Sequence, residues 1–279
     1  MLTKTDAIVL KSMKFRDTSK IVTFYTRKYG KIKGVAKGAR VMKSKFGAAL
    51  EPMTQVAIVL YRKEHRDLQL LSQCDIVKPY KNIHADMERM SIAMSVIERI
   101  NQLTHEEEEN ALLYNLLVET MDELDRATKN HINLLYAFEL RYAALFGFSP
   151  GLDSCGDCGR SIEDFNNERS VVFQLFKGAV LCPACAGSIT AQPYERFGVD
   201  NVEKFMQKLT QTGGNLRVSA PTPRILQRLL ASKIGSTTSL EFNLPIRNEI
   251  DATLRLYLRY HFEGLKPLRS LEIFQKILN

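Results

Sequence analysis

The sequence predicts a multidomain α+β chain. An OB-fold β-barrel is expected over residues 1–80, followed by a mainly α-helical domain over 81–279 that carries a zinc-ribbon-like four-cysteine insert at 152–190. Three observations carry this reading. Five short β-like segments crowd the first 80 residues, the apolar spacing changes to three and four after Pro79, and two Cys-x-x-Cys pairs stand 23 residues apart.

The barrel strands are expected at 7–10, 21–26, 31–36, 56–61 and 68–77. These segments are rich in β-branched and aromatic residues, and Gly, Pro, Asp or Lys-rich breaks bound them at small-barrel spacings. Tyr29-Gly30-Lys31 reads as a short hairpin link between the second and third. Five strands in this length fit a small closed barrel, of which the OB-fold is the common single-strand binder.

Beyond Pro79, Ile83, Met87, Met90, Met94, Ile97, Ile100 and Leu103 repeat at helical spacing. The methionine stripe reads as core filling. Thr104 with Glu107 suggests a capping box ahead of a helix from Glu106 to about Asp125, with the acids 106–109 at the positive end of the dipole. A third helix is expected over about 131–146, stopped by Gly147 and Pro150. A β-like stretch follows at 170–176 and 178–181. Helical patterns resume at Asp200, with an acid at Glu203. Thr222-Pro223 reads as N-cap plus N1 proline, and a last helix runs from about 245 to 262, ending at Gly264.

The net charge of +8 is unevenly placed. Residues 1–82 hold 18 Lys+Arg against 6 Asp+Glu, and the remainder 21 against 25. A basic excess confined to one domain is the electrostatic footprint expected for a polyanion. The candidate nucleic-acid-binding residues are Lys20, Arg27, Lys31, Lys33, Lys37, Arg40, Lys43, Lys45, Arg62 and Arg66. Gly30, Gly34, Gly38 and Gly47 among them let backbone approach a phosphate chain. Phe15, Tyr25, Tyr29, Phe46 and Tyr61 could stack on unpaired bases, although at least half of these rings should be core. The alternative, a solvated charged face, fits less well an imbalance that extends over a whole domain.

The longest apolar run, residues 56–61, is far short of the roughly 20 residues of a membrane span. No secretory leader is recognised at the N-terminus, so a cytoplasmic, nucleoid-associated protein is expected. In that reducing compartment the five cysteines are read as thiols or metal ligands. Cys155-Gly-Asp-Cys158 and Cys182-Pro-Ala-Cys185 form two knuckles whose sulfurs can complete a tetrahedron. Structural zinc, one per chain, is the expectation; a single iron or unmetallated thiols remain open. Four cysteine ligands leave no open coordination position. Cys74 reads as a buried small hydrophobe.

Catalytic motifs are missing. The sequence has no G-x-x-x-x-G-K-[ST], no G-x-S-x-G and no H-E-x-x-H. The histidines at 65, 84, 105, 131 and 261 show no metal or base pairing, and a non-enzymatic protein is expected. A zinc-containing RNA-binding or transcription-associated OB module is a second class. A nuclease built on the acids 106–109 is a third.

Several segments, in order, resemble the RecO family of bacterial recombination mediators. They are Asp17-Thr-Ser-Lys-Ile-Val-Thr-Phe-Tyr-Thr26 with Gly30, Ala36-Lys-Gly-Ala-Arg40 with Ser44, and Phe146-Gly-Phe-Ser-Pro150-Gly-Leu152 leading into Cys155-x-x-Cys158-Gly159. Leu254 to Gly264 and Leu268-Arg-Ser-Leu271 fit the family's closing helix and tail. The resemblance implies an OB-fold and a helical domain with a zinc-ribbon-like insert. It implies binding of single- and double-stranded DNA, strand annealing, and help in placing the recombinase on coated single strands. The implied partners are RecR and the C-terminal tail of single-strand-binding protein, for which Arg247, Arg255 and Arg259 on the closing helix are the candidate contacts. Not all members keep the four cysteines, and here Ala186 stands where a second knuckle glycine is expected.

Overall fold

The computed structural model describes residues 1–63, 66–165, 168–194 and 202–271. The chain divides into two compact units, Met1–His131 with the chain from Leu268, and Ile132–Pro267. The first opens with five strands, β1 (Leu2–Phe15), β2 (Ser19–Thr26), β3 (Gly30–Ala36), β4 (Gln55–Tyr61) and β5 (Leu68–Lys78). They close in the order β1-β2-β3-β5-β4, with β3 and β5 parallel over Lys33–Leu68 to Val35–Leu70 and the other pairings antiparallel. This is the five-stranded barrel topology of the OB-fold.

The barrel closes because every strand turns apolar side chains inward. Val9, Val22, Phe24, Ile32, Val56, Ile58, Leu60 and Leu71 are buried in its core. A 3-10 turn at Gly47–Leu50 seals one end, where Phe46, Ala49 and Leu50 join the core and the Cys74 sulfur meets the Ala49 carbonyl at 3.6 Å. Each large apolar side chain so buried contributes roughly 1.5–3 kcal/mol.

Three helices complete this unit: α1 (Lys81–Ala85), α2 (Met87–Leu103) and α3 (Ala111–Arg126). Asp86 caps α2 by accepting from Arg89 N at 2.8 Å, and Asn110 caps α3 by accepting from Leu113 N at 2.9 Å. The helix expected from Glu106 therefore begins five residues later. Residues 106–109 are non-helical and lie against the barrel.

The second unit is a helix-and-sheet assembly. Its elements are α4 (Ile132–Leu145), β6 (Gly151–Cys155), β7 (Ser170–Gln174), β8 (Ala179–Leu181), α5 (Pro183–Ala186), β9 (Gln192–Pro193), α6 (Val202–Gln211), β10 (Asn215–Ser219), α7 (Pro221–Ala231) and α8 (Leu244–His261). The sheet order is β6-β8-β7-β10-β9, so it extends past the cysteine insert and makes this part more mixed than the helical reading expected. Thr222 is not a cap. It sits inside α7, and its hydroxyl donates to the buried Glu249 carboxylate, which also accepts from Ser219 N at 3.0 Å. Asp200, where helical pattern resumes in the sequence, lies outside the described residues, as does His65. Among the described residues no helix is long and apolar enough to cross a membrane.

Candidate nucleic-acid surface and metal centre

The barrel sorts the predicted cations into three groups. Lys31 belongs to the interior. It is 8% exposed, and its ammonium donates to the carbonyls of Asn101 at 2.9 Å and Thr104 at 2.5 Å, at the C-terminal end of α2. Burial lowers its pKa, Glu106 draws it back up and Lys33 pushes it down. The expectation that Lys31 contacts nucleic acid is corrected: the helix end consumes its charge.

A second group is engaged by the acidic connection between α2 and α3. Glu106 forms a bridge beside Lys31 on β3, and Glu107 N donates to Lys31 O at 2.9 Å. Lys33 pairs with Glu106, and Arg62 with Glu107 at 3.0 Å while lying 4.6 Å over the Tyr29 ring. Gly30 is where the connection crosses closest. A Cβ there would stand 1.9 Å from the Glu108 carbonyl oxygen, and its φ of +59° suits the hairpin turn. Glu107 itself has a φ of +58°, a conformation that a non-glycine residue adopts at a cost and that these long-range bonds hold in place. Two of the acids expected at a helix start, Glu106 and Glu107, are thus paired with barrel cations, and among the described residues the run 106–109 forms no metal-holding cluster of the kind the nuclease class requires.

The third group lies around the β1–β2 turn and the loop that follows β3. Arg40 N donates to Thr18 O at 2.9 Å, and Arg40 Nη1 donates to the carbonyls of Arg16 at 3.2 Å and Asp17 at 3.0 Å. Arg40 therefore pins the loop to the turn. Lys45 donates to Ser72 O at 2.7 Å and Lys20 pairs with Glu51 at 2.9 Å. Lys37 and Lys43 are exposed and carry no ion pair among the described residues; the same holds for Lys11, Lys14 and Arg16 on the pinned hairpin. Sequence reasoning passed over these last three. Their signal was the Lys-x-x-Lys-x-Arg spacing at the end of the first strand.

Arg27 and Lys28 are exposed in the β2–β3 turn, beside a cleft they share with Lys4, Asp6 and Glu109. Arg66 is exposed just before β5, where Gln69 accepts from Lys63 N at 2.9 Å and donates to Arg66 O at 2.7 Å. Of the rings expected to stack, Tyr25 and Phe46 are core, Tyr29 lies under Arg62, and Tyr61 is exposed.

The cysteines converge in the second unit. All four sulfurs lie within 4.8 Å of one another, and Cys158 Sγ is 3.8 Å from Cys182 Sγ. A tetrahedral zinc with Zn–S of about 2.3 Å needs sulfurs about 3.8 Å apart, so the set is compatible with zinc. β6 and β8 run parallel and carry the knuckles on their ends, with Cys155 beside Val180. The first knuckle closes through Gly159 N donating to Cys155 O at 3.0 Å, and Gly159 has a φ of +72°. The second runs straight into α5, where Ala186 N donates to Cys182 O at 2.8 Å. Ala186 is helical, which is why no glycine is needed there.

Burial disfavours the Cys155 thiolate, but backbone N–H groups of Cys158, Cys182 and Asp157 directed at its sulfur outweigh it and bring its pKa down to about 6. Hydrogen bonds to Cys158 and Cys182 push the Cys185 thiol up to about 12. Four thiolates this close require a cation to be anionic together. Cys74 stands apart, a buried thiol pushed up to about 12 by burial and then by Asp75.

On α8, Arg255 pairs with Asp251 at 2.6 Å. Arg259 donates to Leu265 O and pairs with Glu203 at 3.3 Å. Arg247 Nε is buried with no hydrogen-bond partner among the described residues.

Two family models match this arrangement in order. Recombination protein O N terminal covers residues 1–80, the barrel, and Recombination protein O C terminal covers residues 84–194, which include all four cysteines. The chain belongs to the RecO family of DNA repair proteins. The DNA repair protein RecO of Pelodictyon phaeoclathratiforme (strain DSM 5477 / BU-1) is 32% identical over 281 residues, covering 100% of this chain and 99% of the relative. That of Chlorobaculum parvum (strain DSM 263 / NCIMB 8327) is 31% identical, covering 92% and 99%. That of Chloroherpeton thalassium (strain ATCC 35110 / GB-78) is 29% identical and covers 100% of both chains. Family membership supports a general role in recombination repair.

Proposed function

We propose that the chain is a recombination mediator that acts without nucleotide hydrolysis. It holds single- and double-stranded DNA on the barrel, anneals complementary strands, and assists loading of the recombinase on single strands coated by single-strand-binding protein. The observation that carries this reading is the pinned loop and hairpin with Lys11, Lys14, Arg16, Lys37 and Lys43 exposed and without an ion pair among the described residues. Phosphate contacts from such a cluster hold two strands on one surface and reduce their mutual repulsion. Lys33 and Arg62, already paired with Glu106 and Glu107, contribute less.

The cysteine site takes one structural zinc. When bound, the ion closes the two knuckles through four thiolates and leaves no position for substrate. RecR and the acidic tail of single-strand-binding protein are the proposed partners, and the protein works in the cytoplasm on nucleoid DNA. A tail carboxylate at α8 would meet Arg247 and compete with Asp251 and Glu203 for Arg255 and Arg259. Mixing complementary strands with the purified chain, without nucleotide, tests the reading. The chain is expected to accelerate annealing, and that acceleration to vanish at high salt; a rate equal to that of free strands at low salt would overturn it.

A further inference from the structure

Val41 and Met42 occupy the tip of the loop that Arg40 pins. Met42 is 101% exposed and Val41 45%. Scattered exposed apolar residues are ordinary on a protein surface, but this pair is held outward by bonds on both sides. On one side Arg40 binds three carbonyls of the β1–β2 turn. On the other, Ser44 N donates to Val41 O at 3.0 Å, and Phe46 anchors the chain in the barrel core. Lys37, Arg40, Lys43 and Lys45 flank the tip in sequence. The hairpin it is pinned to adds Met13, 46% exposed, and the half-exposed Phe15.

We infer that Val41 and Met42 form a base-contacting tip that packs against unpaired bases of a single strand whose phosphates the neighbouring cations hold. This rests on the reading of that barrel end as the nucleic-acid surface. Cations around an apolar tip match a ligand with anionic edges and flat apolar faces, which is the chemistry of a single strand. A thioether is soft and polarisable and packs well on aromatic faces, and apolar side chains insert between base steps in other complexes. In a duplex those faces are already stacked on one another. The tip therefore selects unpaired strands, while the cations serve both forms.

The full chain carrying Val41→Ser and Met42→Ser tests this by titration against an oligothymidylate, an abasic strand of equal length and a duplex. The expected result is about a tenfold loss on oligothymidylate, the scale of one stacked base, with the salt slope unchanged. Binding to the abasic strand and the duplex should match the parent. Equal loss on the abasic strand would overturn the proposal, because the tip would then act through loop shape. Unchanged binding to oligothymidylate would overturn it as well, and would leave the tip to a protein partner. A parallel Lys37→Glu, Lys43→Glu variant should lose affinity for all three ligands. If it loses none, the underlying surface assignment fails, independently of what the tip variant does.

Discussion

Replacing Lys31 with methionine separates cations that build the fold from those that face DNA. The ammonium serves the Asn101 and Thr104 carbonyls, which belong to the end of α2 and are otherwise short of donors. A hydrogen bond from a charged donor is worth roughly 1.5–3 kcal/mol, and burying the ammonium offsets part of two such bonds. Methionine keeps most of the stem's volume but removes the donor. The net cost is about 2–4 kcal/mol. For a unit of this size each kcal/mol moves Tm by roughly 3–4 °C, so the first unit should melt about 10 °C earlier. Circular dichroism at 222 nm reads the transition, and anisotropy of a labelled oligothymidylate well below Tm reads DNA binding, which should be unchanged. An unchanged Tm with weaker binding and a shallower salt slope would refute the assignment of Lys31 to the interior.

Glu106→Gln with Glu107→Gln should release Lys33 and Arg62, raise DNA affinity several-fold at low salt and steepen the salt slope by about one; stopped binding or no change on titration would count against the acidic connection screening them. One zinc per chain should be found by elemental analysis, and Cys155→Ser or Cys182→Ser should lower Tm and solubility more than DNA affinity; a metal-free protein with the parent's melting curve would contradict a structural site. Thiol titration at pH 8 after chelation should find Cys155, brought down to about 6, reactive in the folded chain and Cys74 only after unfolding. The Cys74 thiol keeps its proton to about 12 in the fold against an ordinary 9.0, so stability should fall as pH rises through that window.

Local patterns were the readable part of this chain. The cysteine knuckles were legible because two residues of spacing fix both sulfurs without help from the rest of the fold. The barrel was legible because β-branched runs alternate with turn residues, although β1 proved to be 14 residues long. Its first half turns Thr3 and Thr5 inward, and threonine does not register as apolar in a sequence. β10 escaped notice, although its buried Leu216 and Val218 alternate with exposed Arg217.

The failures were long-range. A run of glutamates after a threonine looks like a helix start, and partners distant in sequence, Lys33 on β3 and Arg62 just past β4 together with the Lys31 backbone, draw it onto the barrel. Which lysines stay open is decided the same way, by partners such as Glu51, Glu106 and the end of α2. Thr222 follows the rule too: Glu249 captures its hydroxyl and leaves α7 to begin at Pro221.

The salt dependence of single-strand binding tests the DNA surface most directly. For about six contacted phosphates the log–log slope should be near −4. Lys37→Glu with Lys43→Glu should weaken binding to all sequences alike and bring the slope toward about −3, with annealing falling in parallel. Lys204→Glu with Lys208→Glu, on the exposed face of α6, supplies the matched reversal in the other unit. That variant should keep the parent's affinity, slope and annealing rate. If it loses as much as the barrel pair, the barrel is not the principal DNA surface.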